Sequence, residues 1–131
     1  MKVLIDEQLP PRLAKAMDGL LAPDHRFIHA RDHFGRKGVT DLEWITQLSA
    51  EGGWIVISGD RRIRKNRNEA QAFRNSTMIA FFLSAGLEKA PLLKKAERLI
   101  ALWPSIEATA GAVAGGAMFE LPMTSLRVRA L

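Results

Sequence analysis

The chain contains no cysteine. This absence excludes disulfide bonds, thiolate metal sites and cysteine nucleophiles, so any chemistry has to use oxygen or imidazole groups. The chain also lacks a long apolar run: no stretch approaches the roughly 20 apolar residues of a membrane span, and the run at positions 3–5 is too short for a secretory signal. We therefore expect a soluble cytoplasmic protein with no membrane partner.

Internal repeats, serine-rich linkers and low-complexity tracts are missing as well. With 131 residues, of which 47% are hydrophobic, the chain is large enough for one domain with its own core and too short for two full ones. We predict a single domain over residues 1–131, in which residues 109–131 form a C-terminal extension with short strands. The Gly/Ala-rich stretch 108–117 is typical of a loop or a frayed helix end.

Short apolar runs alternate with amphipathic segments along the chain. This pattern predicts an α/β fold with a mostly parallel sheet covered by helices on both faces. The predicted strands cover residues 3–5, 26–29, 54–58 and 78–83, with a hairpin or edge strands at 118–121 and 126–128. The predicted helices cover about 10–21, the segment between Thr40 and Gly52, 69–74 and about 90–108. We expect Leu42, Ile45 and Leu48 on the buried face of the second helix.

The last predicted helix has an apolar stripe and an internal proline. We expect its buried face to consist of Leu93, Ala96, Leu99, Ile100 and Trp103. Pro104 lacks a backbone N–H and should kink or end this helix.

Acidic residues follow two of the predicted strands. Asp6 comes directly after the first strand, and Asp60 follows the uncharged central strand through Ser58 and Gly59. Residues just past the carboxyl ends of parallel strands converge on the binding crevice, so these two aspartates should meet. Mg²⁺ and Mn²⁺ prefer carboxylate oxygens, and such an ion can activate a water for attack on a phosphodiester.

Two further acids, Asp41 and Glu43, lie in the first turn of the second helix. Acids are favoured there by the helix dipole and by capping, and Thr40 with Glu43 forms a capping-box pattern. Either acid could instead point toward the crevice. The candidate ligands for a Mg²⁺ or Mn²⁺ cofactor are therefore Asp6, Asp41, Glu43 and Asp60.

A strongly basic segment follows Asp60. The chain as a whole has 19 Lys and Arg against 14 Asp and Glu, a formal net charge of +5 that favours a polyanionic partner. Five of these cations are Arg61, Arg62, Arg64, Lys65 and Arg67. A charge run is usually only a solvated surface, but beside a candidate metal site its guanidinium groups can bind phosphates. We predict that this segment contacts RNA.

The three histidines offer an alternative metal site. His25, His29 and His33 are spaced four residues apart, but they fall across a loop, a strand and a second loop rather than on one helix. The sequence therefore favours the carboxylates over zinc.

Three segments of the chain resemble the PIN-like domains, specifically the group of VapC-type toxins from bacterial toxin–antitoxin pairs. They are residues 4–13 (LIDEQLPPRL), 41–45 (DLEWI) and 53–63 (GWIVISGDRRI). The resemblance implies a three-layer α/β/α fold with a central sheet of four to five strands and a metal-dependent ribonuclease activity. It implies that a cognate antitoxin protein blocks the site, and it leaves a homodimer open. By position, Asp6, Glu43 and Asp60 are the implied catalytic acids, with Asp41 as the alternative helix acid.

The chain departs from this family at one place. PIN nucleases commonly carry a further acid shortly after the strand-end aspartate, whereas here Arg61 and Arg62 follow and the next acid is Glu69. Glu7 or Glu69 could replace the missing carboxylate. The alternatives to a nuclease are a PIN-like module that binds nucleic acid without cleaving it, and a protein-interaction domain whose basic segment contacts an acidic antitoxin tail.

Overall fold

The computed structural model describes residues 1–131 and places six strands in one sheet with helices on both faces. The strands are β1 (Lys2–Ile5), β2 (Arg26–His29), β3 (Trp54–Ser58), β4 (Ile79–Leu83), β5 (Met118–Leu121) and β6 (Arg129–Ala130). The helices are α1 (Pro11–Leu21), α2 (Ala30–Phe34), α3 (Asp41–Glu51), α4 (Arg67–Arg74), α5 (Ala85–Glu88) and α6 (Leu92–Ala112), with a short 3₁₀ helix at Arg62–Arg64.

The strand order is β2-β1-β3-β4-β5-β6, and every pair is parallel except the last. The predicted α/β class is confirmed, but the sheet has six strands instead of four to five. The extra strand is β6, whose two residues pair antiparallel with β5 and lie slightly later in the chain than the predicted segment 126–128.

Two apolar cores form because alternate residues of each strand point to opposite faces of the sheet. Val3 and Ile5 of β1 belong to the core under α1 and α6, whereas Leu4 belongs to the core under α3 and α4. The strands β3 and β4 are buried along their whole length, as expected for central strands covered on both sides. These observations confirm a three-layer α/β/α architecture.

The buried face of α3 differs from the predicted one. Ile45 and Leu48 are buried as expected, but Leu42 is 46% exposed and Trp44 is buried in its place. The Trp44 ring packs edge-on against Phe73 of α4, and its indole N–H donates to Asp41 in the preceding turn. The larger aromatic surface of Trp44 therefore decides which side of the helix faces the core.

Helix α6 is longer than predicted and is rotated relative to its predicted apolar stripe. Leu93 and Ile100 are exposed, while Leu102 and Ile106 are buried beside Leu99 and Trp103. Pro104 neither ends nor interrupts the helix, which continues to Ala112. Because Pro104 lies on the exposed side, the carbonyl that loses its helical partner can be hydrated, and the core-facing side packs without interruption.

Buried charges attach the C-terminal segment to the rest of the fold. Arg98 of α6 is buried because its guanidinium donates to the carbonyls of Pro122 and Ser125, which close the loop after β5. The buried carboxylate of Glu120 on β5 accepts hydrogen bonds from Arg61 and from Arg129 of β6. Residues 109–131 thus reach the loop that carries Asp60.

None of the six helices combines the length and the apolarity needed to cross a membrane.

The Glu120 ion-pair cluster yields a stability prediction. We expect Glu120→Gln to lower the free energy of unfolding by about 2 kcal/mol, because it leaves two arginines without their carboxylate partner in a partly buried place. Lys94→Gln is the control, since the Lys94–Glu97 pair is exposed and should contribute less than about 1 kcal/mol. Urea unfolding measures both, and equal effects of the two substitutions would contradict the prediction.

Candidate active site

The alignment of β1 with β3 brings Asp6 and Asp60 to the same edge of the sheet. Ile5 pairs with Ile57 in register, and the backbone N–H of Asp6 continues this ladder by donating to the Ile57 carbonyl at 3.0 Å. Two residues after Ser58, the chain reaches Asp60 at the same end of the neighbouring strand. The structure therefore brings these two sequence-predicted acids together.

Ser58 connects the two aspartates. Its buried hydroxyl donates to Oδ2 of Asp6 at 2.7 Å and accepts from the backbone N–H of Asp60 at 3.0 Å. Gly59, between Ser58 and Asp60 in the chain, has little space around it, because an added Cβ would stand 3.1 Å from the Cγ of Glu88. Sequence analysis did not assign a role to Ser58, although a polar residue ending an otherwise apolar strand was a usable signal.

Asp6 carries a negative charge that no cation balances. Its carboxylate accepts hydrogen bonds from Ser58 and from the backbone N–H of Glu7, and it forms no ion pair with a lysine or arginine. Burial raises the pKa of Asp6 above its ordinary value, and the neighbouring carboxylates of Asp41 and Asp60 raise it further. A bound cation would relieve this unfavourable charge.

The structure separates the two acids at the start of α3. The side chain of Asp41 lines the same cleft as Asp6 and Asp60, where its Oδ1 accepts from the Trp44 indole. Glu43 points away: it completes the capping box with Thr40, and its carboxylate pairs with Arg36 at 2.6 Å.

Glu43 also faces a different depression, a groove of about 520 Å³ on the outer side of α3. The hydrogen bonds from Arg36 and Thr40 lower the pKa of Glu43, which shows that its charge is already satisfied there. Of the two predicted helix acids, the structure therefore places Asp41 in the cleft and Glu43 outside it, with the Glu43 carboxylate engaged in capping and in the pair with Arg36.

A fourth carboxylate comes from α4. Asn66 caps this helix by accepting from the backbone N–H of Glu69 at 3.0 Å, which places Glu69 in the first turn. Burial raises the pKa of Glu69, and the negative charge of the nearby Asp41 carboxylate raises it further. Glu69 thus lies beside the cleft acids, whereas Glu7 uses its carboxylate to hold the backbone N–H of Gly38 at 3.1 Å.

Asp60 differs from the other acids because it is paired with a cation. The guanidinium of Arg62 approaches its carboxylate at 2.6 Å, and the amide of Gln8 donates to it at 2.7 Å. The hydrogen bonds from Arg62 are the main cause that lowers the pKa of Asp60 to about 2. Only 14% of the Asp60 side chain is exposed, so its carboxylate is largely shielded from solvent.

These acids share one cleft of about 260 Å³ at the carboxyl edge of the sheet. It is lined by Asp6, Glu7, Gln8, Val39, Thr40, Asp41, Trp44, Asp60 and Arg62. Its all-oxygen donor set and its uncompensated negative charge fit a hard divalent cation such as Mg²⁺ or Mn²⁺. In the conformation of the structure no three acids or histidines converge on one point closely enough to hold an ion.

The basic segment divides into engaged and free side chains. Arg61 is engaged: its guanidinium donates to the Leu83 carbonyl and to Glu120, and these contacts give it a structural role. Arg62 is paired with Asp60. The remaining cations are exposed and form no ion pair; they are Arg64, Lys65 and Arg67.

The histidines lie in three separate places. His29 is buried and donates from Nε2 to the Leu9 carbonyl at 2.7 Å, while His25 contacts Glu107 and His33 contacts Glu51. This separation agrees with the preference for a carboxylate site over a zinc site.

The Asp60–Arg62 pair predicts a pH dependence of stability. The pKa of Asp60 is about 2 in the folded chain, below its ordinary value of 3.8, so folding favours the ionised carboxylate. This stabilisation is complete above the ordinary pKa and is lost as the pH falls toward 2. Because Arg62 is largely exposed, we expect Asp60→Asn to cost only about 1–2 kcal/mol near neutral pH.

Urea unfolding of wild type and Asp60→Asn over a pH series tests this expectation, with Asp24→Asn as a control at an exposed aspartate without a side-chain partner. The difference between wild type and Asp60→Asn should shrink as the pH approaches 2. A difference that is independent of pH would contradict it.

Comparison with known proteins gives one match. A family model described as a PIN like domain matches residues 1–85, which include Asp6, Asp41, Asp60 and Glu69. No curated protein and no solved structure matches the chain. Since the match covers well over half of the 131 residues and contains the strands and helices that build the cleft, the chain belongs to the PIN-like domain family, whose fold is of the nuclease type.

Proposed function

We propose that this protein is a divalent-metal-dependent endoribonuclease whose active site is the acidic cleft. The observation that carries this proposal is that Asp6, Asp41 and Asp60, from three different segments, line one cleft with Glu69 nearby. Burying several like charges in one cleft costs stability, and a protein that only had to fold would gain nothing from it. A bound cation would offset the repulsion between these carboxylates, so a metal-binding site accounts for the arrangement.

The residues of the cleft have distinct roles in this proposal. Asp6, Asp41 and Asp60 hold a Mg²⁺ or Mn²⁺ ion, and Glu69 acts beside Asp41 in place of the acid that the sequence lacks after Asp60. Such an ion supplies Lewis-acid activation of a water and neutralises charge on the scissile phosphate. Ser58 fixes the position of Asp6 relative to the backbone of Asp60, so that the two carboxylates keep their spacing.

RNA is the proposed substrate because a basic surface adjoins the cleft. The free cations Arg64, Lys65 and Arg67 lie four to seven residues after Asp60 and can neutralise phosphates of a bound strand. Such contacts position a strand without reading its sequence.

The proposed biological role is that of the toxin in a toxin–antitoxin pair, with a cognate antitoxin protein as partner. The support is the resemblance of residues 4–13, 41–45 and 53–63 to VapC-type toxins. The cleft is open at the carboxyl edge of the sheet, where a bound protein could cover it.

One observation favours a second candidate, a PIN-like module that binds nucleic acid without cleaving it. Asp60 is occupied by Arg62 and Gln8, and no three acids converge on one point. This module would bind RNA in the absence of metal and would leave it intact.

The separation of Asp41 from Glu43 gives the sharpest test of the site. We expect Asp41→Asn to lower the rate of RNA cleavage by about a hundredfold or more, the size of loss typical when one group that stabilises transition-state charge is removed. Glu43→Gln, two residues away in the same helical turn, should cleave at close to the wild-type rate. Cleavage of a mixed RNA pool with Mn²⁺ measures both.

The opposite result, an inactive Glu43→Gln and an active Asp41→Asn, would return the role of helix acid to Glu43. Metal-independent RNA binding with no cleavage by the wild type would support the non-catalytic module.

The basic surface predicts a salt dependence. Each single-strand phosphate contact contributes about 0.7 to the slope of log affinity against log salt, so removing two contacts in Arg64→Gln/Arg67→Gln should reduce this slope by about 1.4. A control of equal charge is Lys2→Gln/Arg26→Gln at the opposite ends of the strands, where Arg26 pairs with Asp18. Fluorescence anisotropy of a labelled single-stranded RNA in EDTA measures the slopes, and equal slopes for the two double variants would contradict this binding surface.

A further inference from the structure

Arg62 holds both carboxylate oxygens of Asp60. Its backbone N–H donates to Oδ1 at 2.9 Å, its Nε lies 2.8 Å from Oδ2 and 3.0 Å from Oδ1, and its Nη2 donates to Oδ2 at 2.6 Å. Gln8 adds one more donor to Oδ2. The oxygens that a metal ion would need on Asp60 are therefore already occupied by donors, most of them from the residue two positions later.

Arg62 is also the one cation that lines the cleft. Asp6, Asp41 and Glu69 form no ion pair with any lysine or arginine. Arg62 lines the cleft, and Asp41 and Glu69 lie near enough to add to the effect of Asp60 in raising its pKa. Its guanidinium therefore supplies the positive charge in the metal-free cleft.

The Arg62 side chain can leave without disturbing the fold. It is 79% exposed, and its only hydrogen-bond partner is Asp60. The preceding Arg61 behaves oppositely, since the Leu83 carbonyl and Glu120 anchor it and fix the backbone of the loop. The loop is thus held in place by one arginine while the next is free to exchange its partner.

We propose that Arg62 is an exchangeable counterion, which neutralises Asp60 in the metal-free protein and has to release it before a divalent cation binds there. This inference rests on the proposed function and adds a competitor within the chain itself. Metal affinity is then set by a competition between the ion and the guanidinium.

The test measures Mn²⁺ affinity of the full chain by calorimetry, with no nucleic acid present. Arg62→Gln should bind Mn²⁺ about fivefold more tightly than wild type, which corresponds to the free energy of one exposed ion pair. Arg64→Gln removes the same charge from a nearby exposed residue that contacts none of the acids, and it controls for the general loss of positive charge. Arg62→Lys keeps the charge but loses the fork, so its affinity should lie between those of wild type and Arg62→Gln.

A double-mutant comparison isolates the contact itself. If Arg62 acts by holding Asp60, then Arg62→Gln should leave the Mn²⁺ affinity unchanged in the Asp60→Asn background, because the competition no longer exists. Circular dichroism and thermal unfolding establish that each variant is folded.

The outcomes separate this inference from the proposed function. Equal Mn²⁺ affinities for Arg62→Gln and Arg64→Gln overturn the counterion role alone, and so does weaker binding by Arg62→Gln, which would make Arg62 a support for the site. No binding by wild type or any variant at millimolar Mn²⁺ overturns the metal-dependent function and this inference together. Binding by Arg62→Gln but not by wild type supports both.

Discussion

The parallel register between β1 and β3 is the constraint on which the candidate site depends. Pairing Ile5 with Ile57 makes Asp6 and the Ser58–Asp60 turn leave the sheet at the same edge, and the Ser58 hydroxyl then joins them. A shift of one residue would move Val3 and Ile5 to the core that holds Leu4, and Leu4 to theirs, so neither core would keep its packing. The burial that stabilises the sheet therefore also fixes the spacing of two carboxylates.

The apolar cores stabilise the fold, whereas the acids at the edge of the sheet repel one another and destabilise it. Asp6 is largely withdrawn from solvent without a cation, and the nearby charge of Asp41 raises the pKa of Glu69. Only Asp60 has a basic partner, and that partner comes from the flexible side chain of an exposed arginine. Such a concentration of unfavourable charge is typical of functional sites, where binding a ligand offsets it.

The C-terminal third of the chain contributes to the site indirectly. Residues beyond 85 lie outside the matched family segment, yet β5 extends the sheet and Glu120 reaches back to Arg61 in the loop after β3. Arg129 of β6 binds the same carboxylate from the other side. The segment thus ties the last two strands to the loop that presents Asp60 and Arg62.

The sequence by itself determined the α/β class, the parallel strands, and the positions of Asp6 and Asp60 just after two strands. It could do so because a buried strand is a short apolar run, and the residue that ends the run is visible in the sequence. Only the tertiary structure decided between Asp41 and Glu43, since both lie in one helical turn and the rotation of α3 depends on how Trp44 packs against Phe73. The same holds for Arg61 and Arg62, which are adjacent and chemically identical but meet different partners, Glu120 and Asp60. Glu69 lies near the other acids because α4, which carries it, packs beside α3. Contacts between residues distant in the chain leave no local pattern, and for this reason the roles of Asp41, Glu69, Arg61 and Arg62 could be read only from the folded protein.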